Sequence, residues 1–430
     1  MNINRLIALL PVLLLFSCNP DKIENKIDSQ GVTIQLSPVW RSSISEQTKY
    51  IAGGIGQAFM TERGILFPKA TALPRDPQHA RSYLVLKDKD TGQDIWAWND
   101  YLTNFEQLDM DKNRQEDVNG TLLYTSGNRG YGIDMQTGKT IWKTTYTDQW
   151  ARVATATGSD TFYLTLNPIE SYNQSAFKPQ INQGVLSNGS ITRLLPLVFG
   201  ADKGKEGGGY KESFGQVNGM RLLKINGEEH LLFNYYDSTP PTAHWYTPRL
   251  SLYNLAQKKF VYEGLPMKEA GYLLAVNGRL QVNNGKVYDS MLRYTVCHDL
   301  LTGKQLWERV FGSLCDYQLA TEDKLLSYIS DGNLYCLDAN TGQTRWQQEC
   351  VVTSNLVQLN GVVYYTASQK LCASELQTGK LLWKIDSPDS RQNSEARFRG
   401  FVAVVPGKNG QKGRVYAHTG LNAYCYEAIR

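Results

Sequence analysis

The sequence lacks most of the signatures by which enzymes declare themselves. Its five histidines, His79, His230, His244, His298 and His418, form no H-E-x-x-H pair. No serine sits in G-x-S-x-G, so neither a zinc-peptidase helix nor a hydrolase elbow is present. There is no C-x-x-C-H haem attachment, and no two cysteines are adjacent. The glycine run at 204–209 leads to no Lys-Ser/Thr and reads as a loop, not a phosphate cradle. Charge of either sign is nearly balanced, with 45 Lys and Arg against 41 Asp and Glu. No basic block alternates with aromatics, so nucleic-acid binding has no electrostatic support. Long apolar runs are missing after residue 16, and a membrane-spanning helix needs roughly twenty such residues. Proline is scarce beside glycine, 15 against 37, and no Pro/Ser-rich or charged linker divides the chain after Gln30. A long chain with many turns and no internal break suggests one large closed all-β domain.

The exception to the short apolar runs is 6–16, which follows Arg5. It has the length of a signal-peptide core and is too short to cross a bilayer. The run ends in Leu15-Phe16-Ser17-Cys18, which resembles a bacterial lipobox, with bulky Phe16 as a departure. The resemblance implies that residues 1–17 are a lipoprotein signal peptide and that Cys18 carries palmitate and the rest of the lipid. Residues 18–31 are polar and read as a tether.

One phrase recurs along the rest of the chain. Asp90-Thr91-Gly92 is followed by Trp96, and Gln136-Thr137-Gly138 by Trp142. It returns as Leu301-Thr302-Gly303 with Trp307, Asn340-Thr341-Gly342 with Trp346, and Gln377-Thr378-Gly379 with Trp383. Each Trp stands four residues after Gly, and an acidic residue stands three before Thr: Asp88, Asp134, Asp299, Asp338 and Glu375. The acidic oxygens can cap a tight turn, and glycine supplies the positive φ it needs. The chain then reverses into a strand that carries Trp. Recurrence at roughly forty residues is the period of four-stranded propeller blades. The tryptophans are expected to dock between neighbouring blades.

Weaker copies fill the gaps. Residues 250–262 read as a blade without Thr-Gly, with Tyr262 in the Trp slot. Segments 151–166 and 191–198 suggest another, interrupted by a long insertion. At the C-terminal end, 415–426 supplies strands but no outer strand with its Trp. The segment 32–43, with Trp40, is expected to pair there and clasp the ring shut, which removes exposed sheet edges. The expectation is an all-β fold, a single propeller over 32–430. Eight blades are counted, with seven as the alternative.

This phrase resembles the repeat of the pyrroloquinoline-quinone-type propellers, which include quinoprotein dehydrogenases and lipoproteins similar to the outer-membrane assembly factor BamB. The dehydrogenases stack their quinone on a disulfide between adjacent cysteines beside Ca²⁺. That cysteine pair is missing here, so no cofactor is expected and the resemblance implies a scaffold instead of an enzyme. It further implies protein partners in the cell envelope, reached from the periplasmic face of the outer membrane. A glycan or small-ligand binding lipoprotein at the cell surface is the alternative.

Remaining candidates have structural readings. Cys297, Cys336 and Cys425 fall at the same place in their repeats, where Ala373 stands in another. This suggests a small buried slot, with disulfides as the alternative in an exported protein. Asp109, Asp111, Asn113 and Asp117 have the spacing of a calcium loop, but Arg114 replaces its glycine and Gly120 its bidentate Glu. They read as a solvated hairpin tip. Three insertions could form a binding surface: 73–81, 167–211 and 238–249. The last joins prolines to His244, Trp245, Tyr246 and Arg249, the last three of residue types enriched at hot spots.

Overall fold

A computed structural model describes residues 25–429 apart from 29–30, 35, 46–58, 74–75, 103–114, 127, 147–148, 157–159, 169–179, 197–214, 239–245, 268–279, 292 and 392–395. The chain forms eight four-stranded antiparallel blades in a ring. Blades 1 to 7 occupy 59–98, 115–145, 149–196, 215–266, 281–310, 315–349 and 357–385, in chain order. Blade 8 joins 402–427 to the N-terminal strand Trp40–Ser43. Among the described residues the one helical element is a single 3-10 turn, Pro388–Arg391.

Eight buried clusters account for the core, and each fills one seam between consecutive blades, including the seam between blades 8 and 1. This is why second strands such as Thr121–Ser126, Lys324–Ile329 and Val362–Ala367 are buried at every position: a neighbouring blade covers each face. An outer strand such as Thr140–Thr145 instead alternates half-buried with exposed residues, the pattern of a sheet with one wet side.

Local chemistry sets the two kinds of turn. Asn119-Gly120, Asn226-Gly227, Asn284-Gly285 and Asn360-Gly361 join first to second strands, with both residues at positive φ. Asn-Gly is the preferred pair for such hairpins because its twist matches that of the strands. Third and fourth strands are joined by the acidic-Thr-Gly phrase. Asp299 Oδ1 accepts from Thr302 N at 2.8 Å and from its hydroxyl at 2.7 Å, while Gly303 N donates to the Asp299 carbonyl at 2.9 Å. Asp88, Asp134 and Asp338 make the same bonds to Thr91, Thr137 and Thr341.

The N-terminal clasp is narrower than the sequence suggests. Only Trp40–Ser43 pairs with Asn422–Glu427, whereas Gly31–Ile34 lies parallel to Leu381–Ile385 on the outer edge of blade 7. The break follows from pairing geometry: blade 8 lacks one strand, and four residues fill it. Polar bonds hold the clasp. The buried Lys87 ammonium donates to Ser42 Oγ at 2.7 Å and pairs with Asp94. Arg41 Nη2 meets buried Asp389 Oδ1 at 2.6 Å.

Candidate functional site

The repeat phrase builds an interlock between blades. The indole N–H of Trp40 donates to Lys89 O in blade 1 at 3.0 Å, Trp96 to Met135 O at 2.9 Å, and Trp142 to Leu186 O at 2.6 Å. Trp307 reaches Ala339 O at 3.1 Å and Trp346 reaches Leu376 O at 3.0 Å. Tyr262 copies the bond through its hydroxyl, to Leu300 O at 3.2 Å. Trp383 is buried in the seam between blades 7 and 8. Each acceptor follows the acidic residue, or its equivalent, in the next blade, and the ring then lies on that blade's turn glycine. A Cβ added to Gly342 would meet Trp307 at 2.6 Å, and one added to Gly379 would meet Trp346 at 2.6 Å. Glycine is therefore required twice over, for positive φ and for room.

The small slot has a related cause. Cys297, Cys336, Ala373 and Cys425 stand directly across the sheet from Trp307, Trp346, Trp383 and Trp40. A bulky residue there would displace the indole. Cys297, Cys336 and Cys425 are free thiols without exposure, and burial pushes each up to about 12, which makes them unreactive packing groups.

Three proposed insertions are revised by the topology. Residues 73 and 76–81 belong to a long antiparallel hairpin between the second and third strands of blade 1. Segment 167–211 contains Gln180–Val185 and Ile191–Pro196, the two outer strands of blade 3. Strand Tyr246–Asn254 already includes Tyr246 and Arg249. Arg249 is half-buried there and donates to Gly264 O at 2.9 Å in the neighbouring strand. In each case alternation was obscured by proline or glycine, which edge and hairpin positions tolerate. Asp117 lies in strand Gln115–Val118, not at a hairpin tip, and burial raises its carboxyl above the usual range. Cys18, Asp109, Asp111, Asn113, His244 and Trp245 lie outside the described residues. Among the described residues no three His, Cys, Asp or Glu gather as metal ligands.

Connectivity separates the two ends of the ring. Successive antiparallel strands turn at opposite ends, so first-to-second and third-to-fourth turns share one face. That face runs through tight turns, the longest being 406–413. The described strands that flank the sequence segments 44–58, 99–114, 169–179, 197–214, 267–280 and 386–401 end at the opposite face. Long connections on a rigid scaffold are where binding concentrates. This face is the candidate functional site.

Besides Asp389, two buried ionisable residues of the strands lie toward it. Asp289 in blade 5 has no exposure and accepts from Asn234 Nδ2 of blade 4 at 2.5 Å. Burial pushes its carboxyl up to about 7. His418, at the end of a second strand in blade 8, is fully enclosed, and burial lowers its imidazole to about 4. Neither residue was singled out by the sequence for this role, and no motif surrounds them.

Comparison with known proteins agrees with this architecture. The sequence model of the family described as outer membrane protein assembly factor BamB matches residues 268–348. No curated protein matches the chain. Among solved structures, BamB from Moraxella catarrhalis aligns at TM-score 0.54 with 12% identity, covering 91% of this chain and 99% of that one. Sqt1 from Saccharomyces cerevisiae aligns at 0.58 with 11% identity, over 90% and 99%. The computationally designed Ika8 protein gives 0.54 with 11% identity, over 90% and 99%. At such identities the structures share a fold and nothing finer. The chain is an eight-bladed β-propeller whose repeats are similar to those of BamB.

Proposed function

We propose that this protein is a non-catalytic, lipid-anchored scaffold that binds protein partners at the periplasmic side of the outer membrane. The observation that carries the reading is the asymmetry of the described strand ends: those on one face are joined by turns of eight residues or fewer, whereas several on the other flank sequence segments as long as 197–214. A closed ring of interlocked blades presents those connections on a rigid base, which lowers the ordering cost of binding. The match of residues 268–348 to the BamB family supports envelope partners. The lipobox-like Leu15-Phe16-Ser17-Cys18 supports the anchor.

Affinity recovery of the lipidated protein from detergent-solubilised envelopes tests the reading. Co-purification of outer-membrane assembly components is expected, and recovery of a glycan-uptake system instead would overturn it. Labelling with a palmitate analogue should mark the wild type and not Cys18→Ser. Incubation with pyrroloquinoline quinone and Ca²⁺ should give no dye-linked alcohol oxidation; activity at micromolar cofactor would refute the non-catalytic assignment.

A further inference from the structure

Two strand pairings tie the N-terminal segment to the ring, and together they give it a direction. Trp40–Ser43 closes blade 8. Upstream, Gly31–Ile34 lies parallel to the outer strand of blade 7, with Thr33 opposite Lys384. Asn25–Asp28 folds back on it antiparallel, Asn25 opposite Ile34 and Asp28 opposite Gly31. Among the described residues, blade 7 is therefore a sheet of six strands where the other blades have four. Between the two pairings, Leu36 packs against the core shared by blades 7 and 8, and Val39 N donates to Cys425 O at 2.7 Å.

Strand direction fixes the end at which the segment leaves. Leu381–Ile385 starts from the tight turn 376–380 and ends where 386–401 begins, so it runs from the tight-turn face to the long-connection face. Gly31–Ile34 runs the same way, and Lys384, opposite Thr33, is one residue from the end of its strand. Asn25 is opposite Ile34, which puts it at the long-connection end. The chain before Asn25 leaves toward that face.

Length sets how far it can stray. Residues 18–24 lie outside the described residues, so only their covalent reach enters the argument. Cys18 is about seven residues from Asn25, and seven residues span at most roughly 25 Å. A tether counted from Trp40 would have about twenty-two residues and roughly 75 Å of reach, enough to pass either face. A six-residue blade strand is roughly 20 Å tall. From Asn25, the tether reaches the tight-turn face only by doubling back over that height nearly straight, which forfeits most of its conformational freedom.

We infer that the protein stands with its long-connection face, at the rim of blade 7, turned toward the bilayer that holds the lipid of Cys18, and its tight-turn face turned away. The inference rests on the anchored-scaffold reading and deepens it: a partner of the long-connection face is one already seated at the membrane surface. The test uses the full chain with Cys315→Ser and Cys350→Ser, spin-labelled at Cys18 and at one introduced cysteine. Val351→Cys places the second label on an exposed position between blades 6 and 7, on the long-connection face, and Lys408→Cys places it in the exposed turn 406–413. Double electron–electron resonance should give a distance from Cys18 to position 351 that is shorter than that to 408 by at least about 10 Å, half the height of a strand. Replacing residues 25–34 with a ten-residue Gly/Ser linker should bring the two distances together and broaden both, while Trp40–Ser43 keeps the ring closed and the melting temperature within a few degrees. In vesicles with a fluorescent headgroup acceptor, the lipidated protein should transfer energy more efficiently from a donor at 351 than from one at 408. Equal or reversed distances, or an asymmetry that survives the linker, overturns the orientation and leaves the anchored scaffold. A chain that takes up no palmitate analogue sinks the anchored scaffold and the orientation with it.

Discussion

The seam between blades 6 and 7 and the seam between blades 3 and 4 solve one packing problem in different ways. In the first, Trp346 of blade 6 lies on Gly379 of blade 7 and donates to the carbonyl of Leu376. In the second, exposed Arg193 occupies the tryptophan position of blade 3, and Lys258, at φ 53°, occupies the glycine position of blade 4. The seam is filled instead by Leu195, Leu231, Phe233 and Tyr253, with Leu255 and Phe260 packed alongside. The comparison teaches that the phrase is a lock with two halves on different blades. Where the indole is lost, the glycine is no longer needed for room, and a lysine bears the left-handed backbone alone.

The comparison can be broken most severely at the clasp. A chain lacking residues 1–45 loses Trp40 from the seam between blades 8 and 1 and exposes two strand edges. It should lose its single cooperative thermal transition, whereas a truncation stopping before Ser37 should melt within a few degrees of the full chain. Next comes the lock itself. Trp307→Ala removes a buried indole and its bond to Ala339, and should cost about 3–5 kcal/mol in denaturant unfolding. Gly342→Ala acts from the other blade, through the same contact. Strain at positive φ and displacement of Trp307 should together cost about 2–4 kcal/mol. Lys258→Gly should stay within about 1 kcal/mol of the wild type, because no ring rests there. A penalty like that of Gly342→Ala would refute the two-part lock.

Asp289 sharpens the contrast through pH. Its folded carboxyl is raised from 3.8 to about 7, so the folded protein holds a proton that the unfolded chain releases above pH 4. Stability from this group is complete below the unfolded value and is lost as pH rises from about 4 to about 7. Asp289→Asn removes that slope, so its melting temperature relative to wild type should climb across the same interval. His418 acts in the opposite direction. Its folded imidazole is lowered from 6.5 to about 4, so its contribution is present above 6.5 and lost as pH falls toward 4. A smaller effect is expected from Asp338, held at about 2 by Arg345 first and by its turn N–H groups. Asp338→Asn should flatten the acid limb of the melting curve between about 4 and 2.

Much of the ring was legible because its turns are chemical. Asp/Glu-x-x-Thr-Gly and a tryptophan recur where a third strand must reverse and a ring must find room, and Tyr262 was readable as a substitute. The Asn-Gly pairs were equally available as a signal and mark the other turns. Blade 3 was harder. Its turn Ser187-Asn188-Gly189 has Val185 where the acid belongs, and the capping carboxylate comes from Asp160 in a neighbouring turn, 2.8 Å from Ser187 N. A partner supplied from elsewhere leaves no local spacing to read.

The sequence by itself determined the class of fold, its repeat length and which residues lock blade to blade, because those depend on backbone conformation and on neighbours a few positions away. Tertiary structure decided the rest. It turned 73, 76–81 and 246–249 into strands, limited the clasp to Trp40–Ser43, and set Asn234 against Asp289 across a seam. It also laid Gly31–Ile34 beside Leu381–Ile385. Those contacts join residues far apart in the chain, and only closing the ring fixes the distance between them.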